Sequence, residues 1–276
     1  MTLDQTAGAT TADELAPPAL IEVRDHIMVI TLNRPEARNA VNAEMCVVVG
    51  DALTRADEDP DVRVVVLTGS GDKAFCAGAD LKALSRGERV IPEGREAWGL
   101  AGYVGHAISK PTIAAVNGPA LGGGTELVLA SDLVVAADTA TFGLPEVKRG
   151  LVAGAGGAFR LIDKLPPVVA MELLLTGEPI GAAEALALHL VNRVVPAADV
   201  LTAALDLAAA IAANAPLSVQ VTKQIALAQE PDGSRPREAA GWAMTSSLLP
   251  LIARSEDAKE GPRAFAERRD PIWQGR

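Results

Sequence analysis

The stretch Asn117-Gly118-Pro119-Ala120-Leu121-Gly122-Gly123-Gly124-Thr125-Glu126 lies between a continuous apolar run, Thr112–Val116, and a segment of helical composition, Gly124–Ser131. A strand buried on both faces reads as such a run. A helix start offers N–H groups that lack intrahelical acceptors, at the positive end of the helix dipole. Glycines between the two let a ligand approach the main chain closely. A second loop of the same construction, Ala74-Phe75-Cys76-Ala77-Gly78-Ala79-Asp80, follows the apolar run Val62–Thr68. Brought together, two such loops form a pocket of backbone donors suited to an oxyanion. Taken singly, each is equally an ordinary glycine-bearing turn.

Outward from these loops the chain alternates strand and helix. Leu20–Arg24 and Ile27–Leu32, split by Asp25-His26, predict a hairpin. Asn42–Asp57 places Met45, Val48, Val49, Ala52, Leu53 and Ala56 on one helical face. Gly94–Ile108 is expected to be helical, and Leu133–Ala137 a strand. This gives an α/β core with mostly buried strands. Beyond about Ala155 the pattern becomes mainly helical, over Ala155–Leu165, Pro167–Leu175, Ala182–Leu188, Val200–Ala213, Leu217–Ala228, Arg235–Leu249 and Ser255–Arg268, with one strand at Leu190–Val194. So many helices suit a separate layer or an oligomer interface. No Gly/Ser linker separates the halves. Met1–Pro18, rich in Thr, Ala, Asp and Pro, reads as a disordered leader.

The chain has 276 residues, 49% apolar but only 3% aromatic, with a net charge of −10. An acidic chain with so few rings does not suit nucleic acid, which calls for phosphate-neutralising cations and stacking surfaces. Nor does it suit an anionic membrane surface. Cys46 and Cys76 are too few for a disulfide scaffold or a zinc site, and His26, His106 and His189 are scattered, so no metal is expected. The longest uncharged run, Leu207–Thr222, contains Asn214, Pro216, Ser218 and Gln220 and does not read as a membrane span. With no secretory signal visible, the expected location is the cytoplasm. Gly154-x-Gly156 is followed by Phe159 where a dinucleotide loop needs glycine, and no Walker A sequence occurs.

Two carboxyls stand in apolar surroundings, Glu126 just after the glycine triplet and Glu146 in Phe142-Gly143-Leu144-Pro145-Glu146. Such settings raise a carboxyl pKa and suit it to proton transfer near neutrality. Taken alone, each is equally a helix-start residue.

Four segments in order, Leu32–Ala40 (LNRPEARNA), Ala74–Lys82 (AFCAGADLK), Ala114–Leu127 (AAVNGPALGGGTEL) and Leu144–Gly157 (LPEVKRGLVAGAGG), resemble the crotonase superfamily of enoyl-CoA hydratases and isomerases. The resemblance runs from about residue 20 to the C-terminus. It implies a spiral of ββα units over 19–200 and a helical trimerisation region over 201–276, giving a homotrimer or a dimer of trimers. It implies an oxyanion hole from the N–H groups of Ala79 and Gly123, and a catalytic pair, Glu126 for the water and Glu146 for the proton at Cα. The implied reaction is reversible hydration of the 2,3 double bond of an acyl-CoA thioester. Coenzyme A arrives with the substrate, so no separate cofactor is implied. Residues matched to acyl-CoA binding are Ala37, Arg38, Ala40, Ala77, Gly78, Asp80, Leu81, Lys82, Leu121, Gly122, Pro145 and Gly154. Trp98 and Tyr103, in the segment that often lines the acyl pocket, are added to them, with core packing as their other reading. Lys82 and Arg38 are the cations expected near phosphate.

The C-terminal stretch from Ser255 and the segments Leu165-Pro166-Pro167 and Met171–Gly177 look especially like bacterial carnitinyl-CoA dehydratases, which are crotonobetainyl-CoA hydratases. Ala153 stands where many relatives have Pro. Ala79 stands where some carry a larger residue, which leaves room for a different acyl group. Other readings are a double-bond isomerase or thioester hydrolase of the same superfamily, or a non-catalytic CoA-binding or RNA-binding homologue.

Overall fold

A computed structural model describes residues 16–230 and 233–276. Most of the leader expected at 1–18 therefore lies outside the described residues. Within it, the carbonyls of Pro17 and Pro18 accept bonds from the Asn33 side chain and main chain.

β1 (Ala19–Arg24) and β2 (Ile27–Leu32) form the expected antiparallel hairpin, with Asp25 and His26 both at positive φ in its two-residue turn. α1 (Ala43–Glu58) follows. The side chain of Asn42 caps it by accepting the Met45 N–H, so the predicted start at 42 is the cap itself. β3 (Val64–Gly69) pairs in parallel with β2. A short α2 (Leu81–Ser85) comes next.

The chain then alternates between two sheets. β4 (Thr112–Val116) extends the first sheet, β5 (Ala120–Leu121) enters a second, and α3 (Gly123–Ala130) closes the unit. β6 (Leu133–Ala137) returns to the first sheet, and β7 (Thr141–Gly143) goes to the second, followed by α4 (Gly157–Lys164) and α5 (Pro167–Thr176). β8 (Ile180–Gly181), α6 (Ala182–Ala187) and β9 (Arg193–Val195) make the last pass. The first sheet runs β1-β2-β3-β4-β6-β9 and the second β5-β7-β8. This repeated stepping between sheets is the ββα spiral. Its residues do not repeat, but its geometry does.

α7 (Val200–Ala212) buries Val200, Ala204, Ala208 and Ala212. Small residues one turn apart let its backbone lie close on β3, β4 and β6, so α7 serves the core although it begins the helical region. α8 (Pro216–Leu227) and α9 (Pro236–Ala253) bury little. They expose apolar stripes instead: Leu217, Val221 and Ile225 on α8, Met244, Leu248 and Leu251 on α9. α10 (Glu256–Glu267) turns back toward the spiral.

The expected helix over Gly94–Ile108 is corrected. Two single 3₁₀ turns, Glu96–Trp98 and Leu100–Gly102, take its place, with Gly99, Ala101 and Gly102 all at positive φ. A side chain on Gly102 would overlap the Cys46 carbonyl, and one on Gly50 would overlap the Trp98 ring. Close approach to α1 thus decides the shape of this segment. The strand expected at Leu190–Val194 is shorter and later, Arg193–Val195. Asn192 takes up the ladder before it, donating to and accepting from Val134.

Candidate active site

The loop after β3 is stitched along both of its edges. On one side Val41 N–H donates to Gly78 O, Asp80 N–H to Val41 O, and Ala77 N–H to Arg38 O, at 2.8, 2.9 and 3.0 Å. On the other, Leu121 N–H donates to Cys76 O at 3.1 Å. This lays the two glycine loops side by side. Three glycines make the approach possible. A side chain on Gly124 would overlap the Cys76 carbonyl oxygen, and one on Gly123 would overlap Leu100 Cδ2. One on Gly78, whose φ is +90°, would stand 2.9 Å from Gly123 N. The Ala79 nitrogen lies 3.5 Å from where a Gly123 Cβ would sit. Neither the Ala79 N–H nor the Gly123 N–H has an acceptor among the described residues. Two free, adjacent main-chain donors, one in the first loop and one at the start of α3, are a fitting receptor for a developing oxyanion.

Glu126, in the first turn of α3, is 3% exposed. Its Oε1 accepts the N–H of Ala155 at 2.7 Å and of Gly157 at 2.9 Å. A Cβ on Gly157 would stand 2.9 Å from that same oxygen and crowd the carboxyl. Burial, and then the neighbouring Glu146, push the Glu126 carboxyl up to about 8, against the two N–H donors and Arg160. Glu146 lies in the one-turn 3₁₀ helix Pro145–Arg149, and burial raises its carboxyl to about 7. Its Oε2 is buried with no hydrogen-bond partner among the described residues. Its Oε1 lies 3.0 Å from where a Cβ on Gly122 would sit, at the foot of the oxyanion loop. The charge of Glu146 adds to the rise at Glu126, so both carboxyls keep protons near neutrality that a free carboxyl would have lost. Two N–H donors and Arg160 oppose the rise at Glu126 without cancelling it, so Glu126 holds its proton at least as tightly as Glu146.

The remaining expected residues fall into groups. Ala37, Arg38 and Ala40 form a turn beside the first loop, with Arg38 and Asn39 at positive φ. Arg38 is exposed, and so are Leu81 and Lys82 at the start of α2. Gly122 and Leu121 line the second loop, and Pro145 starts the Glu146 turn.

Asp80 has a scaffold part beside the first loop. Its carboxylate caps α2 through the Lys82 and Ala83 N–H groups and pairs with Arg34 at 3.0 Å. Partial burial opposes the charge, but these partners hold its pKa below the usual carboxylate value. Gly154 follows the Glu146 turn in the chain. It packs beneath Leu249 of α9, and its neighbours Ala155 and Gly157 supply the amides. Trp98 lies against Gly50, with Arg95 4.0 Å above its ring and His106 5.1 Å away. The buried Tyr103 hydroxyl pairs with Ser131 at 2.8 Å. Both rings are packed into the fold. From this segment it is Leu100 that reaches Gly123, a residue the sequence reading did not single out. Arg160, which bears on Glu126, was also missed. Nothing in the sequence marked either, because each acts through a contact made only after folding.

A cavity of about 680 Å³ lies elsewhere, between α8 and the C-terminal end of α3, lined by Leu129, Lys164, Lys223 and Arg235 among others. Neither Glu126 nor Glu146 lines it.

Residues 22–276 match the enoyl-CoA hydratase/isomerase family. The chain belongs to that family. Carnitinyl-CoA dehydratase of Escherichia coli K12 is 44% identical over 257 residues, which cover 91% of this chain and 95% of that one. A solved structure of a carnitinyl-CoA hydratase from Mycobacterium avium superposes with a TM-score of 0.93 at 56% identity, covering 95% of this chain and all of that one. A carnitinyl-CoA dehydratase from M. avium 104 gives 0.91 at 61% identity, with the same coverage. The spiral described above is thus the fold of this family. No single helix among the described residues is long and apolar enough to cross a membrane.

Proposed function

We propose that Glu126 and Glu146 catalyse reversible addition of water to the 2,3 double bond of an acyl-CoA thioester whose carbonyl oxygen rests on the Ala79 and Gly123 N–H groups. The chain is a hydro-lyase of the enoyl-CoA hydratase/isomerase family. In the hydration direction Glu126 takes a proton from water as its oxygen bonds C3. The electron pair of the double bond moves to the thioester oxygen as an enolate, and Glu146 delivers a proton to C2. Dehydration runs the same steps backward: Glu146 removes the C2 proton, and Glu126 returns a proton to the departing hydroxide. One oxyanion donor of this kind is worth about 2.7–4 kcal/mol of barrier.

The observation that carries the reading is the pairing of two buried, pKa-raised carboxyls with two free main-chain donors in one place. The names of the relatives make carnitinyl-CoA the first acyl thioester to test, with its dehydration product as the reverse substrate. Lys82 and Arg38, both exposed beside the first loop, are the proposed phosphate contacts. The apolar stripes on α8 and α9 support the proposed trimer or dimer of trimers, and a cytoplasmic location accords with the rest.

The test is the rate of hydration and dehydration by Glu126→Gln and Glu146→Gln with crotonyl-CoA and carnitinyl-CoA. Each variant is expected to lose about 10²–10⁴ in kcat. Near-normal turnover in either sinks the two-carboxyl mechanism. NMR of products formed in deuterated water separates hydration, which leaves a hydroxyl on C3, from isomerisation, which does not.

A further inference from the structure

Arg160 is 4% exposed, on α4 directly after the turn that serves Glu126. A guanidinium at this depth needs several partners to offset its desolvation. Its Nη2 donates to Val104 O at 2.8 Å and to Glu238 Oε2 at 2.6 Å, and Nε donates to Glu238 Oε1 at 3.1 Å. Phe159 and Trp242 flank it, with ring centroids 5.6 and 5.3 Å away. Nη1 has no partner among the described residues and sits 2.9 Å from where a Cβ on Gly156 would be. Gly156 is at φ +99°, between the two residues whose N–H groups hold Glu126 Oε1. Val104 closes the segment that sends Leu100 against Gly123. One planar side chain therefore touches the turn behind Glu126, the segment beside the oxyanion loop, and α9.

We propose that Arg160 is a positioning residue for Glu126, holding the Ala155–Gly157 turn in the shape that aims two amides at one carboxylate oxygen. It joins that turn to the Leu100 segment and to α9. A lysine cannot do this, because its single ammonium lacks the fork that reaches Val104 and Glu238 together. The charge of Arg160 also favours the ionised form of Glu126, against burial and Glu146. The charged groups around the guanidinium are Glu238 and, 3.5 Å from Glu238, Arg235; Lys164 lies on the same helix, with its amine pushed down chiefly by burial.

The proposal rests on the reading of Glu126 as general base, and the experiment separates the two. The full-length protein is labelled with ¹⁵N-alanine and ¹⁵N-glycine, so that the Ala155 and Gly157 amides report the titration of the carboxyl they touch. In Arg160→Gln their midpoint is expected to move to higher pH and their hydrogen exchange to quicken. The acid limb of kcat should move with them, and kcat should fall about tenfold with KM changed less than about threefold, as for a misplaced catalytic group. Arg160→Lys is expected to restore the midpoint but not the slow exchange. If Arg160→Gln does not fold, the exchange result in Arg160→Lys decides alone. Amide midpoints and exchange that match wild type in a folded variant overturn the proposal. Amides that respond while the pH dependence of kcat does not would uphold Arg160 as the brace and overturn Glu126 as the base.

Discussion

Glu126 and Glu146 are held by opposite kinds of support. Glu126 rides on a regular helix, and its partners, Ala155 and Gly157, come from a turn about 30 residues later in the same spiral. Glu146 rides on a single 3₁₀ turn that is clamped from outside by α10. A side chain on Gly150, at φ +64°, would overlap the Asp257 carbonyl, and one on Gly261 would overlap the Arg149 carbonyl. Arg149 lies 4.1 Å over the Phe265 ring. The partner-rich carboxyl is thus buried within the spiral, and the partner-poor one depends on the last helix. The difference teaches that the more deeply buried carboxyl is the one given N–H partners, while the less buried one is given a stiff mount.

Among variants that leave both carboxyls in place, the largest expected effect breaks the feature the two share. Gly123→Ala drives a methyl into Leu100 and disturbs the two oxyanion donors, so kcat/KM for an enoyl-CoA should fall by about 10²–10³. Steady-state kinetics, with circular dichroism to confirm folding, check this.

Gly261→Ala comes next, since it attacks only the Glu146 side. The methyl meets backbone, so α10 must shift, at a cost of about 1–3 kcal/mol and with kcat falling more than KM rises. If thermal melting and kcat both match wild type, α10 does not brace Glu146.

A smaller effect sharpens the contrast through pH. Both carboxyls have an ordinary value of 4.5 and hold their protons more tightly in the folded chain. Folding therefore takes up protons between about pH 4.5 and 8. The stability these groups contribute is intact at low pH and is lost as pH rises through that window. Gln at 126 keeps the acceptor for the Ala155 and Gly157 amides but never ionises. The melting temperature of Glu126→Gln minus that of wild type should rise from pH 5 to pH 8.5. A difference that is flat with pH would mean that Glu126 titrates normally.

The smallest effect lies outside both niches. Lys82→Ala removes an exposed charge near the proposed phosphate site and should raise KM by about two- to fivefold at unchanged kcat, the range of an exposed ion pair.

The parts of this molecule that were legible in its sequence are those where local chemistry and global shape agree. The hairpin was marked by its two-residue turn and apolar runs. The glycine triplet marked the second loop, because no other residue allows Cys76 and Leu100 to come so near. The two glutamates stood out against apolar neighbours. The short strands β5, β7 and β8 were not legible, since two or three residues carry no periodicity. The 94–108 segment misled because its alanines and leucine suit a helix, whereas close packing of Gly102 on α1 requires a broken path. Asp80 carries a motif position, yet its carboxylate is spent on capping α2 and pairing with Arg34, whose number gives no hint of the contact.

The dependence of Glu146 on α10 also sets an order in time. As the chain is synthesised, the spiral through β7 can lay out both loops and Glu126 while the Glu146 turn still lacks its clamp. The residues that complete it, Asp257, Gly261 and Phe265, emerge more than a hundred positions later. A nascent chain of this protein therefore holds both loops and Glu126 before the Glu146 turn has its support from α10.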